Sequence, residues 1–487
     1  MSSSENTVTA EVESQPPPVT DESSSSLLEY ARTLEHMFKQ QFAAFRNEGQ
    51  HIEAVNFALS TIQSIPDAPP IWMEYGRALV KLGMPDYAMF CFQHAANLNP
   101  QLLTPQMLIG HCILERNNEH IVSNSTYSDS MDLWHSPVDD LFLVEMFNLG
   151  LDLHDTGHYH EAIICHQIVL KYRPHITPAL HVISTALLSM GDFVKARAYL
   201  QIWYNQSVQS LNLSIWHGES LDGKTLLVYA DHGIGDYINF VRYLPVLAKQ
   251  CKKLYFRATP SLWRILGDIP NVVMTLEEPN DYDYICSLYI LPHVVGLDDF
   301  NNIPQEVPYL HREPDLTAQW AQKLPKGGFR IGIAWQGTPG GPLDRGRSIP
   351  VAQYAPIARL PGVKLISLQM NHALDQLDHL PEGMEVTTLG PEFNAGPDNV
   401  VDTAAVMQSL DMIISTDTSV PHIAGALGLP VWIILRPLPD WRWLQDREDS
   451  PWYPTMRLFR QKETGNWEEV IERIVQELTP ILEAKGF

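Results

Sequence analysis

Three short segments hold the residues whose types and spacing suit chemistry. The first is Asp231-His232-Gly233-Ile234-Gly235-Asp236, set between an apolar run at 224–230 and a helix-like stretch at 237–250. Gly233 and Gly235 allow a tight turn and leave room beside the backbone. Asp236 falls at the start of the predicted helix, where two roles are open: an N-terminal cap, or a general base that removes a proton from a hydroxyl. The second segment follows the apolar run 330–335 and reads Gln336-Gly337-Thr338-Pro339-Gly340-Gly341, with Asp344, Arg345, Arg347, Ser348 and Pro350 downstream. A glycine-rich loop with two arginines offers donors and positive charge to a diphosphate; a solvated turn has the same composition. Gln336 and Thr338 in that loop, and Gln369 at the end of the next apolar run, are further candidates.

The third segment is Asp417-Thr418-Ser419-Val420-Pro421-His422, after the apolar run 411–416. A helix is expected to start near Val420 or Pro421, where the missing N–H of proline costs nothing. Its free N–H groups and positive dipole end form an anion site at the carboxyl edge of the strand, with Thr418 and Ser419 adding hydroxyls. Simple capping of the helix by these residues is the competing role. His422 has no second histidine at metal spacing, so a packing or hydrogen-bonding role is expected and no metal is assigned. Trp441, Trp443, Trp452 and Tyr453 either stack on a base or sugar or pack the C-terminal segment against a sheet.

These segments need a scaffold that brings them together, and the texture of the chain from about residue 211 supplies one. Short apolar runs alternate with helical stretches at 224–230, 253–259, 271–276 and 282–288, then at 330–335, 363–369, 385–389, 411–416 and 430–435. Strands alternating with helices imply parallel sheets with right-handed crossovers. The polar, proline-containing stretch 301–328 divides the two sets, so two Rossmann-like halves facing a cleft are expected, at 211–325 and 326–487. Ligands bind beyond the carboxyl ends of such strands, where all three segments fall.

Upstream the chain repeats. Ala54 pairs with Pro66, Ala88 with Pro100 and Ala162 with Pro174, and Ala196 comes next. The steps from Ala54 to Ala88 and from Ala162 to Ala196 are each 34 residues, the period of tetratricopeptide repeats. Trp72, Gly76, Ala88, Phe92, Ala95 and Pro100 fill one register; Met146, Leu149, Gly150, Ala162 and Pro174 repeat it. Small residues let paired helices approach closely, and the prolines end the second helix of each pair. A helical solenoid over 27–204 is expected, interrupted by a polar insertion at 117–132, with a concave face able to hold a partner. Residues 1–26, rich in serine and proline, read as a disordered tail. The fold class is therefore α + α/β.

Composition narrows the function. Hydrophobic residues make up 45% and charged residues 18%, the balance of a soluble globular chain. Against 33 basic residues stand 57 acidic ones, a formal charge of −24 that repels nucleic acid overall. No apolar stretch is long enough to span a membrane, and no signal peptide precedes Arg32. Five cysteines without a C-x-x-C pair suit free thiols in a reducing compartment. A cytoplasmic location is expected.

With these residues in view, Gly233-Ile-Gly-Asp236, Asp344-Arg-Gly-Arg347-Ser-Ile-Pro350 and Asp417-Thr-Ser-Val-Pro-His422 resemble the three signature regions of the ADP-heptose:lipopolysaccharide heptosyltransferase-like family. More closely, the chain resembles bacterial tetratricopeptide-repeat proteins fused to such a domain. The runs 439–443 and 447–454 are similar to that fused group. The resemblance implies a GT-B fold and an inverting, metal-independent transfer from a nucleotide-sugar, with no cofactor. It implies that Asp236 is the base and that Arg347, with Arg345, contacts the donor diphosphate. Thr418, Ser419 and Val420 would present backbone N–H groups to it, beside His422. The chain departs from the pattern twice: Arg347 stands three residues before Pro350 rather than two, and Ser419 replaces the usual glycine. By analogy with protein O-linked N-acetylglucosamine transferase, the repeats would recruit a protein or glycan acceptor. Two alternatives remain: a non-catalytic repeat scaffold with a degenerate GT-B domain, and a nucleotide-sugar epimerase.

Overall fold

The computed structural model describes residues 37–38, 40–45, 48–102, 104–116, 140–208, 214–339, 344, 346–396 and 399–487. The expected tail (1–26), the insertion (117–132), Gly340, Gly341 and Arg345 lie outside these. By their internal contacts the residues form two compact units, Met1–Pro137 and Val138–Phe487. The division falls inside the expected 27–204 array.

In the first unit, helices His51–Ser64, Pro69–Lys81, Pro85–Leu98 and Thr104–Arg116 follow one another as antiparallel neighbours. Pro66 and Pro100 lie just past the helices that end at Ser64 and Leu98, as the repeat requires. Ala88, Phe92 and Ala95 are completely buried. A methyl group on Gly76 would sit 2.5 Å from the Phe92 ring, so only glycine admits that ring between the paired helices.

The second unit begins with the same register. Helices Asp140–Asp155, Tyr159–Tyr172, Thr177–Ser189 and Phe193–Val208 carry Gly150 opposite His166, again 16 residues apart, and a methyl on Gly150 would lie 2.6 Å from the imidazole. The tetratricopeptide pattern therefore recurs in both units. In the second unit the repeat helices share one core with the first sheet of the α/β region. Leu187, Phe193, Leu200 and Tyr204 pack with Leu226, Val228 and Cys286. The Tyr204 hydroxyl accepts the Ser287 N–H at 3.0 Å.

Two all-parallel sheets make up that region. The first holds β1 (Thr225–Tyr229), β2 (Lys253–Arg257), β3 (Val272–Thr275) and β4 (Tyr284–Ser287) in the order β3-β2-β1-β4. The second holds β5 (Phe329–Ala334), β6 (Val363–Ser367), β7 (Val386–Thr387), β8 (Met412–Thr416), β9 (Val431–Leu435) and β10 (Met456–Arg460) in the order β10-β9-β8-β5-β6-β7. Strands β5, β8 and β9 are buried on both faces, and their near-continuous apolar sequences reflect that. This is a helical-repeat region joined to a GT-B-like pair of parallel-sheet halves, the expected α + α/β class.

Three local expectations change. The single helix expected at 237–250 is broken into Ile234–Phe240, a 3₁₀ turn Val241–Tyr243 and Leu244–Ala248. Pro245 accounts for the break, because its ring excludes the carbonyl four residues back and it has no N–H to donate. Strand β10 was not expected; its Met-Arg-Leu-Phe-Arg sequence sits at a sheet edge, where Arg457 pairs with Glu477 at 2.8 Å. The dividing stretch 301–328 contains helix Pro314–Ala321, whose Trp320 indole donates to Asp402 at 2.9 Å.

Among the described residues, no helix is long and apolar enough to cross a membrane. All five cysteines are buried free thiols.

Candidate functional site

The carboxyl ends of β1, β5, β6, β8 and β9 open onto one cavity of about 730 Å³ within the second unit. Its lining brings together Gly233, Gly235 and Asp236 from the first half with Gln336, Thr338, Arg347, Gln369, Asp417, Thr418, Ser419, Val420 and His422 from the second. Every described candidate from the three segments and Gln369 is present, whereas Trp441, Trp443, Trp452 and Tyr453 are not in the lining. Three aspartates (Asp236, Asp417, Asp440) and three arginines (Arg347, Arg436, Arg442) line it.

On the first-half side, β1 runs through the Asp231–Gly233 turn into helix Ile234–Phe240. The N-terminal cap of that helix is Gly233, and Asp236 reaches back from its first turn to accept the Gly233 N–H at 3.1 Å. The capping role is therefore realised. The other carboxylate oxygen of Asp236 forms a close ion pair with Arg442. Gly235 faces the second half: a methyl there would lie 3.1 Å from His422 Cδ2, so a small residue lets the helices Ile234–Phe240 and Ser419–Ala426 meet.

On the second-half side, the glycine loop after β5 is built around Arg347. A methyl on Gly337 would coincide with the Arg347 guanidinium. The loop is tied down from both sides. Gln369 accepts the Trp335 and Gln336 N–H groups at 2.9 and 3.0 Å and donates to the Gln336 carbonyl at 2.8 Å. Ser348 donates to Asp344 at 2.7 Å and accepts the Gly337 N–H at 3.3 Å. Gln369 thus spends its polar atoms holding the loop, which makes it a positioning group rather than one free for a ligand.

At the end of β8 the chain passes Asp417 and enters helix Ser419–Ala426 with Thr418 as its cap. The Thr418 hydroxyl accepts the Val420 N–H at 3.3 Å. Of the three backbone donors expected to face an anion, that of Val420 is already engaged by the cap. His422 is buried, its Nδ1 lies 2.9 Å from the Tyr453 hydroxyl, and its ring packs against Trp443. Asn239 donates to the same hydroxyl at 2.9 Å. Burial, aided by the nearby Arg442 charge, pushes the His422 pKa down to about 3, so the imidazole is neutral near pH 7. Burial and the neighbouring Asp440 charge push Asp417 up to about 6 against the pull of Arg347. Burial also raises Asp440, but Arg442 more than offsets it and leaves that carboxyl below the usual range.

The aromatic cluster packs rather than faces a ligand. Trp441, Trp443, Trp452 and Tyr453 are all buried, with Trp452 edge-on to Phe240 and Trp441 edge-on to Phe193. The cluster carries the group that sequence reasoning missed. Arg442 pairs with Asp440 at 2.8 Å and with Asp236 across 206 residues of chain, and its guanidinium sits over the Phe240 and Trp441 rings at 4.8 and 4.7 Å. No local pattern ties it to Asp236, which lies in the other half. Among the described residues, no group of three or more His, Cys, Asp or Glu is placed to hold a metal ion.

No family model matches the chain. Protein FlbA of Caulobacter vibrioides is 25% identical over 289 residues, covering 54% of this chain and 48% of FlbA; the chain thus spans about half the length of that curated relative. Among solved structures, the glycosyl transferase family 9 protein of Veillonella parvula is 13% identical with a TM-score of 0.39, over 54% of this chain and 97% of its own. The E. coli ADP-heptose lps heptosyltransferase II is 14% identical with a TM-score of 0.38, over 54% of this chain and 100% of its own. MamA is 14% identical with a TM-score of 0.20, over 37% of this chain and 97% of its own.

Proposed function

We propose that the chain is a glycosyltransferase that moves a sugar from a nucleoside-diphosphate donor to a hydroxyl of a protein or glycan acceptor, with inversion at the anomeric carbon. The observation that carries this reading is the convergence of three segments, each at a strand's carboxyl end, on one cavity of about 730 Å³. The donor diphosphate lies over the start of helix Ser419–Ala426, where the dipole and open N–H groups favour negative charge. Arg347, seated over Gly337, meets the charge that develops on the leaving diphosphate, joined by Arg345. This cationic side chain and the helix start do the work a metal would otherwise do. The neutral His422 contributes a hydrogen bond without adding charge.

Across the cleft, Asp236 takes the proton of the acceptor hydroxyl. The acceptor oxygen attacks the anomeric carbon from the face opposite the diphosphate, and the carbon–oxygen bond to the diphosphate breaks with its electron pair going to the leaving group. The concave face of the repeats recruits the acceptor, and the protein works in the cytoplasm.

Titration calorimetry with UDP-, GDP-, ADP- and dTDP-sugars tests the reading. One donor should bind, and Arg347→Ala should weaken it at least tenfold, the order expected for one charge-assisted contact. Absence of binding by every donor would sink the transferase and leave a repeat-based scaffold.

A further inference from the structure

We propose that Arg442 is a positioning residue that couples donor binding to release of the proton-accepting carboxylate. The inference rests on the transferase reading above and adds a residue and an order of events to it. Arg442 lines the same cavity as Thr418, Ser419, Val420 and His422. Its side chain is only 5% exposed, one nitrogen held by Asp440 and another by Asp236. Its Nε finds no hydrogen-bond partner among the described residues, so a buried guanidinium carries an unspent donor beside the cavity. The guanidinium rests on the Phe240 and Trp441 rings, surfaces over which a planar fork can turn while keeping its stacking.

Both oxygens of Asp236 are occupied, one by the Gly233 N–H and one by Arg442. A carboxylate held this way turns neither oxygen toward an acceptor hydroxyl. A diphosphate over the helix at Ser419 brings two negative charges and bidentate oxygens into reach of the same fork. It competes with Asp236 for the guanidinium, while Asp440 keeps the arginine anchored through both its side chain and the Arg442 N–H at 3.0 Å. Asp236 then faces the acceptor with a free oxygen only when donor is in place. The acceptor proton passes to that oxygen, and the diphosphate leaves with the bonding pair, its charge met by Arg442 as well as Arg347.

Binding measurements decide the matter without turnover. The probes are inorganic pyrophosphate and the four free nucleoside diphosphates, titrated calorimetrically into the full chain. Asp236→Asn keeps an oxygen for the Gly233 N–H but gives up the charge that competes for Arg442, so it should bind pyrophosphate and the preferred nucleotide about tenfold more tightly. Arg442→Lys keeps the charge and loses the fork; it should bind them more weakly. In the Arg442→Lys background the added Asp236→Asn change should have no effect. If Asp236→Asn leaves binding unchanged or weaker, or if its tightening persists in the Arg442→Lys background, the coupling is overturned while the donor reading stands. If the wild type binds none of the probes, the donor reading itself fails and the coupling with it.

Discussion

The two edges of the cleft are built to the same plan and end in different chemistry. In each, a buried strand delivers a short loop with an aspartate at the start of a helix. At the β1 edge Asp236 stands inside the first turn, reaches back to the Gly233 N–H, and is matched by the Arg442 cation. At the β8 edge Asp417 stands before the cap, leaves capping to Thr418, and has Asp440 as its strongest charged neighbour. Both carboxylates line the cavity, and the side of the cap on which the aspartate stands decides whether it also serves the helix. The neighbours after β9 differ too: Arg442 pairs with Asp236, while burial and then Asp440 push the Asp417 pKa up.

The sharpest way to break this contrast is to remove the cation from the first edge. Arg442→Met leaves Asp236 and Asp440 without their shared counter-charge, a guanidinium only 5% exposed. Breaking a buried pair from one side typically costs about 3–5 kcal/mol. Chemical denaturation at pH 7 should show a loss of that order, partly recovered when Asp236→Asn is added. A loss below about 1 kcal/mol would mean that the two edges do not differ in the way the ion pairs imply.

The second edge is tested by pH. Asp417 has a folded pKa of about 6, above the ordinary aspartate value near 3.9. The folded state therefore binds the extra proton more tightly than the unfolded chain. Stability from this group is fully present below about pH 4 and is lost as pH rises through 6. Two pKa units correspond to about 3 kcal/mol at most, and the opening of Asp417 toward the cavity reduces this to about 2 kcal/mol. Asp417→Asn should remove that limb. The variant and wild type should then have similar pH dependence below pH 4, with wild type falling behind between pH 4 and 7. Parallel curves across the whole range would show that Arg347 offsets both burial and Asp440 at this site.

Much of this arrangement was legible in the sequence, for definable reasons. Each of the nine expected apolar stretches contains a strand, and those buried on both faces, such as β5, β8 and β9, are apolar nearly throughout. The 34-residue steps showed because Ala54, Ala88, Ala162 and Ala196 are all buried in the helix pairs, where Gly76 and Gly150 each admit a ring from a residue 16 positions on. What stayed hidden depends on contacts distant in sequence. Strand β10, at an edge, is interrupted by Arg457 and Arg460 and gives no continuous apolar run. The fusion of the helices at 140–208 with the first sheet rests on Tyr204, Phe193 and Leu200, whose local pattern is simply that of a helix core. Arg442 lies in a run that looks like aromatic packing, and only the fold sets it against Asp236. For Asp236 the cap engages only one oxygen, and the other pairs with Arg442, a contact no local pattern announces.

The smallest expected effect concerns the cap that distinguishes the second edge. Thr418→Ala removes the hydroxyl that accepts the Val420 N–H, and loss of an N-cap oxygen costs about 1 kcal/mol. The same change frees that N–H to face the cavity, next to the open end of the helix. Stability and anion affinity should therefore move in opposite directions: a fall of a few degrees or less in melting temperature, with pyrophosphate binding unchanged or slightly tighter. Asp236→Asn, by contrast, retains an oxygen for the Gly233 N–H and should leave the first helix capped. If Thr418→Ala instead weakens pyrophosphate binding several-fold, the Thr418 hydroxyl itself contacts the anion, and the second edge uses its cap as a ligand much as the first edge uses its aspartate for two tasks.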